Sequence, residues 1–233
     1  MNQAHPDFPQ DTRRRLLEAA LITFAEKGFD GAGIREIAEK AKANSAMVQY
    51  HFGGKEKLYL EALRFVLEQG PKWIHKLPSP PHPDEPGARN QALERFKEYL
   101  RSFLQEFMEC KGTGKFLPVE VDRAANILWN REMQYPRPSI EAFILESIQP
   151  FINYLDACLR ILRPDLDGEG LIRMGISIHS QVMWMHNHRE LTRLIRGKTY
   201  TAEDLDTLAD HFIQFSLRGL GIPEALAPQG AQS

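Results

Sequence analysis

The chain reads as all-α: an N-terminal three-helix helix-turn-helix head followed by a larger C-terminal helical domain. Three observations lead there. Apolar residues recur at i, i+3 and i+4 through most of the chain. No segment sustains period-two alternation rich in β-branched residues. Glycine and proline gather between the periodic segments, where helices must stop and the chain must turn.

The elements follow in order. Leu16, Leu17, Ala20, Leu21, Phe24 and Ala25 form one helical stripe, with Asp11 or Thr12 placed to cap its start and Gly28 to end it. Ile34, Ile37, Ala38 and Ala41 repeat the spacing over a shorter helix, Gly33–Ala41, and Lys42-Ala43-Asn44 makes a turn. The next helix spans Ser45–His51; Asn44 or Ser45 can cap it through a side-chain oxygen. From Lys55 a longer pattern runs through Leu58, Ala62, Phe65 and Val66 toward Trp73. The proline-rich stretch from Pro78 to Pro86 breaks the chain as a loop. Further amphipathic helices are expected at about 88–110, 119–131, 139–162, 169–188 and 201–220, punctuated by Gly112-Thr-Gly114, Pro136, Pro138 and Pro164. These elements divide into a head over residues 10–70, a body over 71–222 and a disordered tail over 223–233.

Composition narrows the class. The 42% apolar and 26% charged fractions are those of an ordinary soluble protein. No apolar run approaches a membrane span, and the polar start MNQAHPDFPQDTRRR does not read as a signal peptide. Cys110 and Cys158 are too few for a disulfide framework or a zinc site and read as core thiols of a cytoplasmic protein. The net charge of −2 argues against coating nucleic acid by bulk charge. Residues 1–57 hold nine Lys/Arg against eight Asp/Glu, so a near-neutral head joins a mildly acidic body.

The segment from Gly33 to Lys55, GIREIAEKAKANSAMVQYHFGGK, carries the most chemistry. If Val48 and Phe52, four apart, face inward, then Ser45, Ala46 and Gln49 lie on the opposite face. Those side chains are small or amide-bearing, suited to close approach and to hydrogen bonding at base edges in a DNA groove; a glutamine can bond adenine in a bidentate way. Met47 either touches a thymine methyl or joins the core. Arg35, near the start of the preceding helix, can reach a guanine. Tyr50 and His51 can donate to phosphate oxygens. Lys55 opens a helix, where the macrodipole opposes a cation, and a bound phosphate would reverse that sign. Arg13, Arg14 and Arg15 offer a second phosphate contact, or a solvated face.

With these residues in order, residues 12–63 resemble the TetR family of one-component bacterial regulators, through LLEAALITFAEKGFDGAGIREIAEKA and the VQYHFGGKEKLYLEAL run. The resemblance implies a dimeric, all-helical protein with a DNA-binding head and a body that binds a ligand and dimerises. It implies base-reading roles around Arg35, Ser45, Ala46, Met47 and Gln49, with Asn44 at the turn, and phosphate contacts from Tyr50, His51 and Lys55. Two departures stand out: Gly33 replaces a common capping threonine, and Gln49 replaces a frequent tyrosine. The body more loosely resembles the CecR-like branch, through Arg131-Glu-Met-Gln-Tyr-Pro-Arg-Pro138 leading into a long helix.

The expected partners are therefore a double-stranded DNA operator, a second copy of the chain and a small-molecule effector; no cofactor, metal or membrane is expected. An effector pocket would lie among the helices of the body. Its candidate residues are Phe103, Phe107, Trp129, Met133, Tyr135, Phe143, His179, Met183 and Trp184, although aromatic and methionine residues at helical spacing also build ordinary cores. By the same resemblance the helices near 169–188 and 201–220 would pack against their copies. The expected mechanism is repression with ligand-triggered release; ligand-dependent activation or co-repression is the alternative within the family. An enzyme on a helical bundle would need a nucleophile–base set or a metal cluster, which the sequence does not offer. A scaffold whose helix-turn-helix is purely structural is the third reading.

Overall fold

A computed structural model describes residues 9–69, 73–109 and 117–222. The expectations for the first eight residues, Cys110, the Gly112–Gly114 break and the tail 223–233 lie outside the described residues. The rest is helical: α1 (Pro9–Gly31), α2 (Ile34–Lys40), α3 (Ala46–Phe52), α4 (Lys55–Gln69), α5 (Ala88–Glu109), α6 (Val119–Gln134), α7 (Glu141–Leu162), α8 (Gly168–Asn187), α9 (Arg189–Arg196) and α10 (Ala202–Gly219), with a short 3₁₀ turn at Trp73–Lys76. No strand occurs among the described residues.

Several boundaries differ from the sequence reading. α1 begins before Asp11 and Thr12, so neither caps it, and Thr12 is itself buried. Gly28 does interrupt α1: its φ of +73° leaves the helical region, and the chain turns once more to Gly31. α4 ends at Gln69, short of Trp73. α9 was not anticipated; its sequence RELTRLIR leaves Leu191, Leu194 and Ile195 exposed, so no apolar stripe faces a core. The start of α8 is capped by Asp167, whose side chain accepts from the Gly170 amide at 2.7 Å. α10 opens with a reciprocal capping box between Thr201 and Asp204.

The chain forms two compact units, residues 1–71 with 111–147 and residues 72–110 with 148–233. The division after residue 71 lies beside the boundary expected near residue 70; what differs is that residues 111–147 group with the first unit and not with the body. The physical reason is the packing of α6: Val121, Ala124, Ala125 and Leu128 join the same buried cluster as Leu16, Leu17, Leu21 and Phe24 of α1 and Leu58 of α4. A stripe of small and branched residues states that a helix is buried on one side but not which partner covers it. The start of α7, with Phe143 and Ile144, completes that first core. The second core gathers Ala92, Phe96, Tyr99, Phe103 and Leu104 of α5, Leu155 and Leu159 of α7, Ile178 and Val182 of α8, and Ile213 and Leu217 of α10. Cys158 belongs to this second core as a free thiol, and burial pushes its pKa up to about 12.

Candidate nucleic-acid interface

The helix-turn-helix is built by local chemistry. α2 buries Ile37 and Ala38 and ends in a left-handed turn at Lys42, whose φ is +51°. Two amides close that turn: Lys42 N–H donates to Glu39 C=O at 2.9 Å and Ala43 N–H to Ala38 C=O at 2.8 Å. Of the two caps foreseen for the next helix, Asn44 supplies it. Its Oδ1 accepts from the Ala46 amide at 2.9 Å, while Ser45 makes no capping bond. α3 then buries Val48 and Phe52 and stops at Gly53, whose φ of +73° only glycine adopts freely.

With Val48 and Phe52 committed to the core, the opposite face is left to solvent. Ser45, Ala46, Gln49 and Tyr50 are exposed, Tyr50 to 77%. Met47 is half-buried and packs on the first core, so its side chain is largely committed inward. Arg35 is exposed on α2. His51 is half-buried, with its ring edge-on to Tyr50 at 4.9 Å and its Nε2 without a hydrogen-bond partner. Gly33 sits at the start of α2 with no side-chain cap, and a Cβ there would meet nothing within 4 Å.

Lys55 opens α4, and its Nζ donates to the Asp30 carbonyl at 3.2 Å and lies 4.8 Å from the Phe29 ring centre. The three arginines of α1 are tied to acids: Arg13 to Glu61 at 2.7 Å, Arg14 to Glu18 at 2.8 Å and Arg15 to Asp11 at 3.5 Å. Arg13 also lies over the Phe52 ring at 5.4 Å, which fastens α1 to the end of α3.

Sequence reasoning missed one polar group in this unit. Glu132 of α6 is 1% exposed yet charged. Its oxygens accept from Tyr59 Oη at 2.7 Å, from the Arg137 amide at 3.1 Å and from Arg137 Nε at 2.9 Å, with a further short contact from the guanidinium. Burial alone would raise the Glu132 pKa, but the bonds from Arg137 and Tyr59 outweigh it and hold it below the ordinary value. Tyr59 is driven the other way, by burial first and then by its bond to Glu132. The only sequence signal was the Arg131–Pro138 segment, whose charges gave no hint that one of them was internal.

The residues considered for an effector pocket do not form one cluster. Trp129, Met133, Tyr135 and Phe143 belong to the first unit and Phe103, Phe107, His179, Met183 and Trp184 to the second. This follows from the placement of α6 described above. Trp129 packs edge to face on Phe143 at 6.3 Å, while Met133 and Tyr135 are exposed, the latter to 79%. In the second unit Phe103 lies 4.6 Å from Phe107 and 5.2 Å from His179, ring centre to ring centre. Met183 packs against the second core, and Trp184 is exposed and stacks on His188.

The residue missed here is Tyr99, one turn before Phe103 on the same face of α5. Its Oη lies 2.6 Å from His179 Nε2, and Trp73 and Tyr154 complete an aromatic wall around it. Burial lowers the His179 pKa to about 4, partly countered by a bond to the Gly175 carbonyl. That bond fits Nδ1–H as donor, which leaves Nε2 to accept the Tyr99 proton. Burial drives Tyr99 upward, so the pair is neutral.

Among the described residues no group of three or more His, Cys, Asp or Glu could hold a metal ion, and no helix is long and apolar enough to cross a membrane. Residues 16–62 match the family described as bacterial regulatory proteins, tetR family. Residues 94–220 match the C-terminal domain of the HTH-type transcriptional dual regulator CecR. The HTH-type transcriptional repressor NicS of Pseudomonas putida is 42% identical over 55 residues, 24% of this chain and 26% of that protein. The HTH-type transcriptional regulator RutR of Escherichia coli is 29% identical over 116 residues, half of each. The chain thus spans half or less of these curated relatives. The crystal structure of NalD, the secondary repressor of the MexAB-OprM multidrug efflux pump in Pseudomonas aeruginosa, shares the fold with a TM-score of 0.55 at 20% identity, covering 92% of this chain and 98% of that one. With the CecR-type match alone taking in more than half of the 233 residues, and the head matching as well, the chain belongs to the TetR family of bacterial regulatory proteins.

Proposed function

We propose that the protein is a transcriptional repressor that binds operator DNA as a homodimer through α3 and leaves it when a small-molecule effector binds. Its relatives include proteins named as transcriptional repressors, among them NicS and NalD. The observation that carries the reading is the division of labour on α3. Val48 and Phe52 hold the helix to the core, and Ser45, Ala46 and Gln49 stand free on the side that would enter the major groove. Arg35 reads a base from α2; Tyr50, His51 and Lys55 meet phosphates. α3 itself carries no lysine or arginine, so affinity comes from its flanks and sequence choice from Gln49, Arg35 and groove shape.

The second unit supports dimerisation and effector binding. Ile172 and Ile176 of α8 and Phe215 of α10 are large apolar side chains left exposed, and a second copy would cover them. Within that unit the Phe103, Phe107 and His179 group with Tyr99 is the region an effector would repack. An effector that favours a body conformation with the wrong head spacing lowers DNA affinity by its differential affinity for the two states. A regulator acting on DNA in this way works in the cytoplasm.

A gel-shift titration against the DNA upstream of its own gene, at two salt concentrations, tests the reading. Salt-sensitive binding that prefers one sequence is expected, with Gln49→Ala changing the preference. Binding that ignores sequence at every salt concentration would refute it.

A further inference from the structure

The Arg131–Pro138 segment has no place in the DNA contacts above, yet its charged residues converge on one short turn of α1. Gly28 leaves the helical region within that helix, with a φ of +73°. Arg131 braces the turn just before it, donating from its guanidinium to the Phe24 carbonyl at 3.3 Å and to the Ala25 carbonyl at 3.5 Å. Arg137, neutralised by the buried Glu132, lies 3.9 Å from the Tyr59 ring centre and 4.4 Å from that of Phe29. Phe29 is held further by stacking on Phe24 at 5.8 Å and by an edge contact with Tyr59 at 5.5 Å.

The same Phe29 ring carries a second cation, the Lys55 ammonium, and the next residue supplies the carbonyl to which Lys55 donates. Both anchors of Lys55, the Phe29 ring and the Asp30 carbonyl, therefore lie just past Gly28, where Arg137 packs on Phe29, next to the turn that Arg131 braces. Two cations on one aromatic ring would oppose each other, but Glu132 cancels the charge of Arg137. The ring is left fixed in place and still open to Lys55.

We propose that Arg137, locked by Glu132, is a positioning residue that acts through Phe29 to aim Lys55 at a DNA phosphate. This rests on the DNA-binding reading above. Arg137 itself touches no DNA. It restricts the turn that anchors Lys55, so the ammonium is already placed when a phosphate arrives, and less ordering is left to the binding step.

The test is a double-mutant cycle on the full chain, read as affinity for the upstream DNA fragment across a salt series. Lys55→Ala and Arg137→Gln are each expected to weaken binding to all sequences alike and to flatten the salt dependence by about one phosphate contact per head. In the Lys55→Ala background, Arg137→Gln should cost nothing further. Phe29→Leu keeps an apolar residue and the Glu132–Arg137 pair but removes the shared ring, and it should reproduce the flattened salt dependence. Arg137→Lys should restore part of it. Circular dichroism and a melting curve identify folded variants, and Phe29→Leu decides the matter if Arg137→Gln does not fold. A full cost of Arg137→Gln in the Lys55→Ala background, a changed sequence preference, or a Phe29→Leu protein with unaltered salt dependence would overturn the proposal while leaving DNA binding intact. An unchanged protein that shows no salt-dependent binding would overturn the DNA-binding reading, and this proposal with it.

Discussion

In the first unit a buried carboxylate, Glu132, is met by a guanidinium, an amide and a hydroxyl, so the interior holds a fixed charge. In the second unit the comparable group is a neutral pair, Tyr99 with His179, set among aromatic rings. The two arrangements constrain their surroundings differently. A buried ion pair tolerates few geometries, because losing any partner leaves a charge in a poor solvent. A neutral hydroxyl–imidazole bond between rings can be exchanged for a bond to another polar group at a modest cost. The rigid arrangement lies in the unit that carries α3, and the exchangeable one in the unit proposed to accept an effector.

Three experiments bear on that contrast, from the largest expected effect to the smallest. Glu132→Ala strands the Arg137 guanidinium and the Tyr59 hydroxyl, and should destabilise the first unit by about 3–5 kcal/mol. Chemical denaturation should show a lowered midpoint. A loss below about 1 kcal/mol, the range of exposed pairs, would mean that the charge is not held as described.

Acid comes next. The folded pKa of His179 is lowered, so its contribution is complete above the ordinary value of 6.5 and is lost as pH falls toward about 4. That loss amounts to at most about 1.4 kcal/mol for each pH unit. Glu132 is also lowered, so its contribution is present above the ordinary carboxylate value and disappears only as pH drops through its lower folded one. Acid should therefore loosen the second unit before the first. Melting curves between pH 7 and 4 should show the second unit's decline, and His179→Phe should flatten it. Equal slopes in both proteins would remove His179 as the cause.

Thr201→Ala removes the capping box of α10 and should cost about 1 kcal/mol, in the second unit alone. Hydrogen exchange in α10 would record it, with amides of α1 and α6 unchanged.

Much of the fold was legible because helix periodicity is a local property. The stripes of α1, α2 and α5 and the inward pair Val48 and Phe52 follow from spacing alone. What escaped depends on partners distant in sequence. Ala124, Ala125 and Leu128 announce a buried face, but only packing reveals that α1 covers it. Glu132 was illegible because a glutamate at a helix end is nearly always solvated, and the groups that reverse that expectation include Tyr59, 73 positions away. The exposed face of α3 was legible for the opposite reason: its residues are what remain once Val48 and Phe52 are committed to the core. The candidate effector residues were not, since aromatic side chains at helical spacing look alike whether they line a core, a surface or a pocket.

Under the proposed function, the exposed face of α3 has a practical corollary. Ser45, Ala46 and Gln49 contribute almost nothing to holding the molecule together, and no cation on that helix ties its sequence to its strength of attachment. Address and adhesion are then separate modules. Drift at those three positions would redirect the protein to new promoters without weakening its hold on DNA, and a designer could re-address it by the same substitutions.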